Sequence, residues 1–235
     1  MVGWHPPFVL IDYEMGLISA VRTLMPNSSL GGCYFHFAAA VYRKIVELGY
    51  KTKYDTVPTF RYRIRCLSAL AFLPVAEIPA AFQEIAEDMF PNFEQDIIDY
   101  FEKTWKGWPA GPGYNAAAPS FPMAIWSVHV RQLTNESLRT NNAAERFHFN
   151  FSHFIVCRTH PTMLDFIEDL KKQHRLTRMD LRSFIRGDEP TIPLRYRRLN
   201  TRLANLVARF LESNQAMDLV RGVASAYIDA ANRNC

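Results

Sequence analysis

The chain has 235 residues, 49% hydrophobic and 13% aromatic, enough for one large domain or two small ones. Four cysteines are too few for a disulfide scaffold, no basic-then-apolar leader opens the chain, and no run approaches the ~18 apolar residues that cross a bilayer. Disulfide-rich, secreted and membrane-spanning classes are thereby disfavoured; a reducing compartment is expected, and the net charge of +4 conceals a marked asymmetry along the chain.

In chain order, "PFVLI" (7–11) is a short, continuous apolar run with β-branched residues, and its length predicts a buried strand. A helix follows over 15–25, stopped by Pro26. "GG" (31–32) reads as a turn, with a short second strand near 29–33, and 33–48 is a periodic helix closed by Gly49. A helical pair spans 58–73 and 76–90, broken around Pro74, and another helix covers 93–106. The Gly- and Pro-rich stretch 107–122 is the one clear internal linker. Helices resume at 140–155 behind Thr140 as N-cap, then at 161–174, 176–186, 195–212 and 215–232, with no internal repeat. A lone strand cannot satisfy its backbone groups, so either "PFVLI" is no strand or its sheet partners lie outside this chain.

Several residues could carry chemistry. Asp12 closes the apolar strand, at the end where open α/β folds place their ligands; a strand-end turn or an N-cap is the plainer alternative. Cys33 and His36 form a Cys-x-x-His pair, and Cys157 and His160 form another. Together they would supply four tetrahedral ligands for one structural Zn2+; otherwise Cys33 and Cys157 are small buried hydrophobes. Glu145 either decorates a helix start, favoured by the macrodipole, or points at a metal. Residues 171–209 hold eleven Lys or Arg against three acidic residues, a surplus of about +8 that leaves the rest near −4. Such a segment fits a polyanion such as DNA, or a solvated helix face. The aromatics Phe147, Phe149, Phe151, Phe154, Trp105, Trp108 and Trp126 read as core packing before base-stacking platforms.

The order strand, "IDYE", helix, "GCYFH" and, much later, "TNNAAE" before an aromatic helix resembles the Mutator-like element (MULE) transposase domain, an RNase H-like fold with a DDE metal site. Echoes in "HPTMLDFIEDLKK" (160–172) and "RRLNTRLANLV" (197–207) extend the resemblance over nearly the whole chain. It implies a predominantly α-helical protein in which one or two strands of an incomplete RNase H-like core remain. On this reading residues 1–160 form the partial core, with a helical insertion over roughly 50–130, and 161–235 form a basic helical region. Asp12 and Glu145 match the second and third carboxylates of a Mg2+ (or Mn2+) site for DNA cleavage and strand transfer. The expected spacing of the two carboxylates is ~4–7 Å. Only eleven residues precede Asp12 and none is acidic, so the first aspartate of the family pattern has no counterpart. The expectation is a fragment inactive alone, completed by an N-terminal portion or another copy, or a DNA- or protein-binding helical module domesticated from a transposase. Lys171, Lys172, Arg195, Arg197, Arg198 and Arg202 would contact DNA phosphates without reading bases, and the location implied is the nucleus.

Overall fold

The computed structural model describes residues 6–90, 94–108, 115–134, 139–140, 147, 149, 151, 160–188 and 193–232. The protein is predominantly helical, and among the described residues two strands form its only sheet. β1 (Phe8–Ile11) and β2 (Ser29–Gly32) run parallel, joined by α1 (Met15–Leu24), so "PFVLI" finds its partner within the chain. The glycines at 31–32, read above as a turn, are the last two residues of β2. They suit a strand here because aromatic rings fill the space a side chain would take: a Cβ on Gly32 would lie 2.4 Å from the Tyr13 hydroxyl.

α2 (Tyr34–Glu47) buries Tyr34, Phe37, Val41 and Ile45, a stripe spaced by three or four residues. Gly49, at φ +84°, then takes the left-handed conformation that ends helices. A short α3 (Lys51–Thr56) leads into α4 (Pro58–Ala69), whose first residue is a proline, favoured at N1 because its missing amide is not needed there. A 3-10 turn (Leu70–Phe72) and α5 (Ile78–Met89) complete the predicted pair around Pro74. α6 (Gln95–Phe101) runs into a single π turn, Glu102–Lys106, that holds Trp105 in the core. After α7 (Met123–Trp126) and α8 (His129–Thr134), the described helices are α9 (Met163–Ile185), α10 (Leu194–Ser213) and α11 (Ala216–Asn232).

The chain divides into two compact units, 1–140 with 195–235, and 141–194. In the first, α11 packs along α4, and Leu199, Leu203, Val207 and Phe210 of α10 join the same apolar core. Phe37 stands at its aromatic centre, stacked on Trp126 and edge-on to Trp105. Trp105 and Trp126 are buried as expected.

In the second unit, α9 is one continuous helix where a break near 175 was expected. No Gly or Pro interrupts it, and Thr162 caps it by accepting the Asp165 amide at 3.2 Å. Phe147 and Phe149 are exposed, contrary to the expected core packing, and Phe154 lies outside the described residues. No described helix is long and apolar enough to cross a membrane.

Alkaline stability follows from the first unit's core. Burial pushes the Cys66 thiol from 9.0 up to about 11, raises the Tyr34 phenol well above its ordinary value and raises the Tyr227 phenol as well. Below pH ~9 both folded and unfolded chains keep the thiol proton; between ~9 and ~11 only the unfolded chain releases it, so stability falls as pH rises. Cys66 accounts for about 2 kcal/mol of that loss. Urea unfolding at pH 8 and pH 10.5 should show the decline, and Cys66→Ala should make it shallower.

Candidate functional site

Register builds the site. Ile11 lies opposite Gly32 in the parallel pair, so the next residues, Asp12 and Cys33, emerge side by side at the carboxyl edge of the strands. The ladder continues one step further, with the Cys33 amide donating to the Ile11 carbonyl at 2.8 Å. Cys33 is also the residue that starts α2, which carries His36 one turn on, three residues away and on the same face. One carboxylate oxygen, one thiol sulfur and one imidazole nitrogen thereby come within 4.8 Å of one another. His36 Nδ1 lies 2.9 Å from Asp12 Oδ1. Cys33 is fully buried, while the Asp12 and His36 side chains stay 40% and 28% exposed, so solvent ions can reach the cluster.

Asp12 does not cap the following helix: Glu14 holds the N-cap position of α1 and makes no side-chain capping bond. Next to the cluster, burial raises the Tyr13 phenol well above its ordinary value; Arg131 opposes the shift, and Cys33 and Asp12 reinforce it. Tyr13 therefore stays neutral. Arg131, buried on α8, donates to the Gly32 carbonyl at 2.9 Å and to the Ser127 carbonyl at 3.0 Å, clamping the strand end from which Cys33 departs. Burial lowers its pKa, with Tyr13 and Cys33 acting in the opposite sense.

Sequence reasoning kept Asp12 apart from Cys33 and His36, in two separate metal sites. The structure brings the three together. Once a strand is assigned to 29–32, parallel register alone makes Asp12 and Cys33 neighbours. Tyr13 and Arg131 were missed; Arg131 reaches the strands from a helix about a hundred residues later, as its Gly32 bond spans 99 positions, and carries no local mark. Glu145 and Cys157, proposed as Mg2+ and Zn2+ ligands, lie outside the described residues. His160 is exposed and belongs to the second unit.

The basic candidates separate by their partners. Lys171 pairs with Glu168 at 2.7 Å, Lys172 with the fully buried Asp169 at 2.9 Å, and Arg202 with Asp229. The Lys171 hydrogen bond holds the Glu168 carboxyl below its ordinary value. Arg195 lies over the Tyr196 ring, 4.5 Å from its centroid. Arg197 and Arg198 are exposed and show no acidic partner among the described residues. On α9, Lys171, Arg175, Arg178 and Arg182 recur every three or four residues, all exposed, and form one basic face.

Comparison with known proteins returns no match: no protein-family model, curated protein or solved structure aligns significantly with this chain.

Proposed function

We propose that the chain is a DNA-binding module of transposase descent that grips phosphates without reading bases. The observation that carries this reading is the exposed basic face of α9, Lys171, Arg175, Arg178 and Arg182. Guanidinium forks match paired phosphate oxygens, and cations spaced along a helix neutralise a phosphate backbone without touching base edges. Arg197 and Arg198, exposed on α10, extend the same chemistry. Transposase descent rests on the resemblance of "IDYE", "GCYFH" and "TNNAAE" and is supported by Asp12 at the carboxyl edge of a parallel strand pair. A nuclear location belongs to the same reading.

Fluorescence anisotropy on a duplex of arbitrary sequence tests it. Affinity should fall by about 100-fold or more between ~50 and ~200 mM salt, because counterion release dominates such binding. Changing Arg175, Arg178 and Arg182 together to Ala, or Arg195, Arg197 and Arg198 together to Ala, should lower affinity. Each set should flatten the salt slope by up to ~3, about one per lost phosphate contact. Unchanged affinity and slope in both sets would make these faces solvated surfaces of a protein-binding helical module.

A second reading, metal-dependent DNA cleavage and strand transfer, is favoured by Asp12 at the strand end. It ranks second because, among the described residues, the cluster holds one carboxylate, whereas a two-ion clamp draws on several. With Asp12 and Glu145 as the implied Mg2+ or Mn2+ ligands, nicking of supercoiled DNA that requires Mg2+ and disappears in Asp12→Asn would support it.

A further inference from the structure

We propose that Asp12, Cys33 and His36 form one transition-metal site that takes Zn2+ through a carboxylate oxygen, a thiolate and an imidazole nitrogen. The inference goes beyond DNA binding and does not depend on it. It also departs from both metal sites expected from the sequence: it joins the Asp12 of the Mg2+ set to the Cys33–His36 half of the four-ligand Zn2+ set.

Three observations carry it. The candidate ligand atoms lie within 4.8 Å of one another. Ligands at the ~2.0–2.3 Å typical of zinc in a tetrahedron sit about 3.3–3.8 Å apart, so closing the site takes side-chain rotations and leaves the backbone in place. The backbone is itself fixed: β1–β2 register sets Asp12 beside Cys33, the Cys33 amide is tied to Ile11, and helical spacing sets His36 over Cys33. Access is the third, since Asp12 and His36 reach solvent while the sulfur is sheltered.

The donor set chooses the ion. Mg2+ demands oxygen ligands in an octahedron and retains its waters, whereas sulfur with imidazole suits zinc. Binding displaces the thiol proton of Cys33 to solvent, along with any proton shared between His36 Nδ1 and Asp12 Oδ1. Three protein ligands leave one position for water or a fourth side chain, the arrangement of zinc sites that act on substrates rather than merely brace a fold.

The test uses the full chain, purified without a metal-binding tag and stripped with a chelator. Zn2+ is titrated in competition with a chromophoric chelator, and Co2+ serves as a spectroscopic stand-in. Stoichiometric Zn2+ binding is expected, together with a near-ultraviolet thiolate-to-Co2+ band that is lost in Cys33→Ser and retained in Cys66→Ser. Asp12→Asn and His36→Ala should each weaken Zn2+ by about 10–100-fold or more, the range that even outer-sphere partners of zinc ligands command. Should Cys33→Ser fail to fold by circular dichroism, the half-exposed Asp12→Asn variant carries the test alone. No stoichiometric Zn2+, a Co2+ band that survives Cys33→Ser, or Zn2+ affinity unchanged in Asp12→Asn would each overturn the site. DNA affinity measured on the stripped protein reports separately on the DNA-binding reading.

Discussion

Phe37→Ala will cost about 3–5 kcal/mol of folding stability, the range for deleting a fully buried aromatic ring. Phe37 has no exposed surface and sits where four aromatic contacts meet: parallel to Trp126 at 4.9 Å, edge-on to Trp105 at 4.8 Å and to Phe101 at 6.2 Å, and tilted against Tyr34 at 6.4 Å. The two indoles are held back from the vacated space, because the Trp126 Nε1–H is tied to the Trp105 carbonyl at 2.9 Å and the Trp105 Nε1–H to the Tyr100 hydroxyl at 3.1 Å. A rigid cavity wall sets the cost toward the upper end of that range. Phe35, two residues earlier and 53% exposed, is the internal control; Phe35→Ala should change stability by less than ~0.5 kcal/mol. Urea unfolding of the two variants checks the contrast, and a Phe37→Ala loss below ~1.5 kcal/mol would contradict this account of the core.

Arg131→Met should cost a comparable amount, about 3–5 kcal/mol, for an unrelated reason. Methionine keeps most of the aliphatic volume, so little cavity forms. What disappears is a charged donor serving two carbonyls, Gly32 and Ser127, at 2.9 and 3.0 Å, with the Ile125 carbonyl at the 3.5 Å margin. Hydrogen bonds to a charged group contribute about 1.5–3 kcal/mol each, and buried carbonyls left without donors keep their full desolvation penalty. Lysine should recover little, because a single ammonium cannot reproduce the guanidinium fork. Denaturant titration of Arg131→Met and Arg131→Lys reads both. The same loss frees the strand end ahead of Cys33, so Zn2+ affinity should drop in Arg131→Met although the residue contributes no ligand.

These two residues also show what the sequence made legible. The apolar stripe that buries Phe37 repeats every three or four positions, and such periodicity marks a helix face without knowledge of its partner. β1 was visible in the same way, as a β-branched apolar run. β2 was harder, since "SLGG" has little strand propensity; it becomes a strand because Phe8 and Tyr13 cover glycines that could not bear side chains there. The short helices Lys51–Thr56, Met123–Trp126 and His129–Thr134 left no periodic pattern, being too brief to show one. The candidate site was half legible: its three residues were singled out, but their convergence depends on strand register, a relation between distant segments. Arg131 was invisible for the same reason. Phe147 and Phe149 misled because aromatic clustering alone does not say which face of a helix meets a core.

The packing of α4 against α11 has a consequence for synthesis. The side of α4 that α11 covers leaves the ribosome long before α11 itself, and the whole 141–194 unit is made in between. At ~5–20 residues per second, the nascent chain carries that apolar face uncovered for on the order of ten seconds. Contacts between such distant segments also form slowly, since a long loop must close before they stabilise anything. A chain halted before residue 216 would therefore hold α4 without the helix that covers it, its core still open.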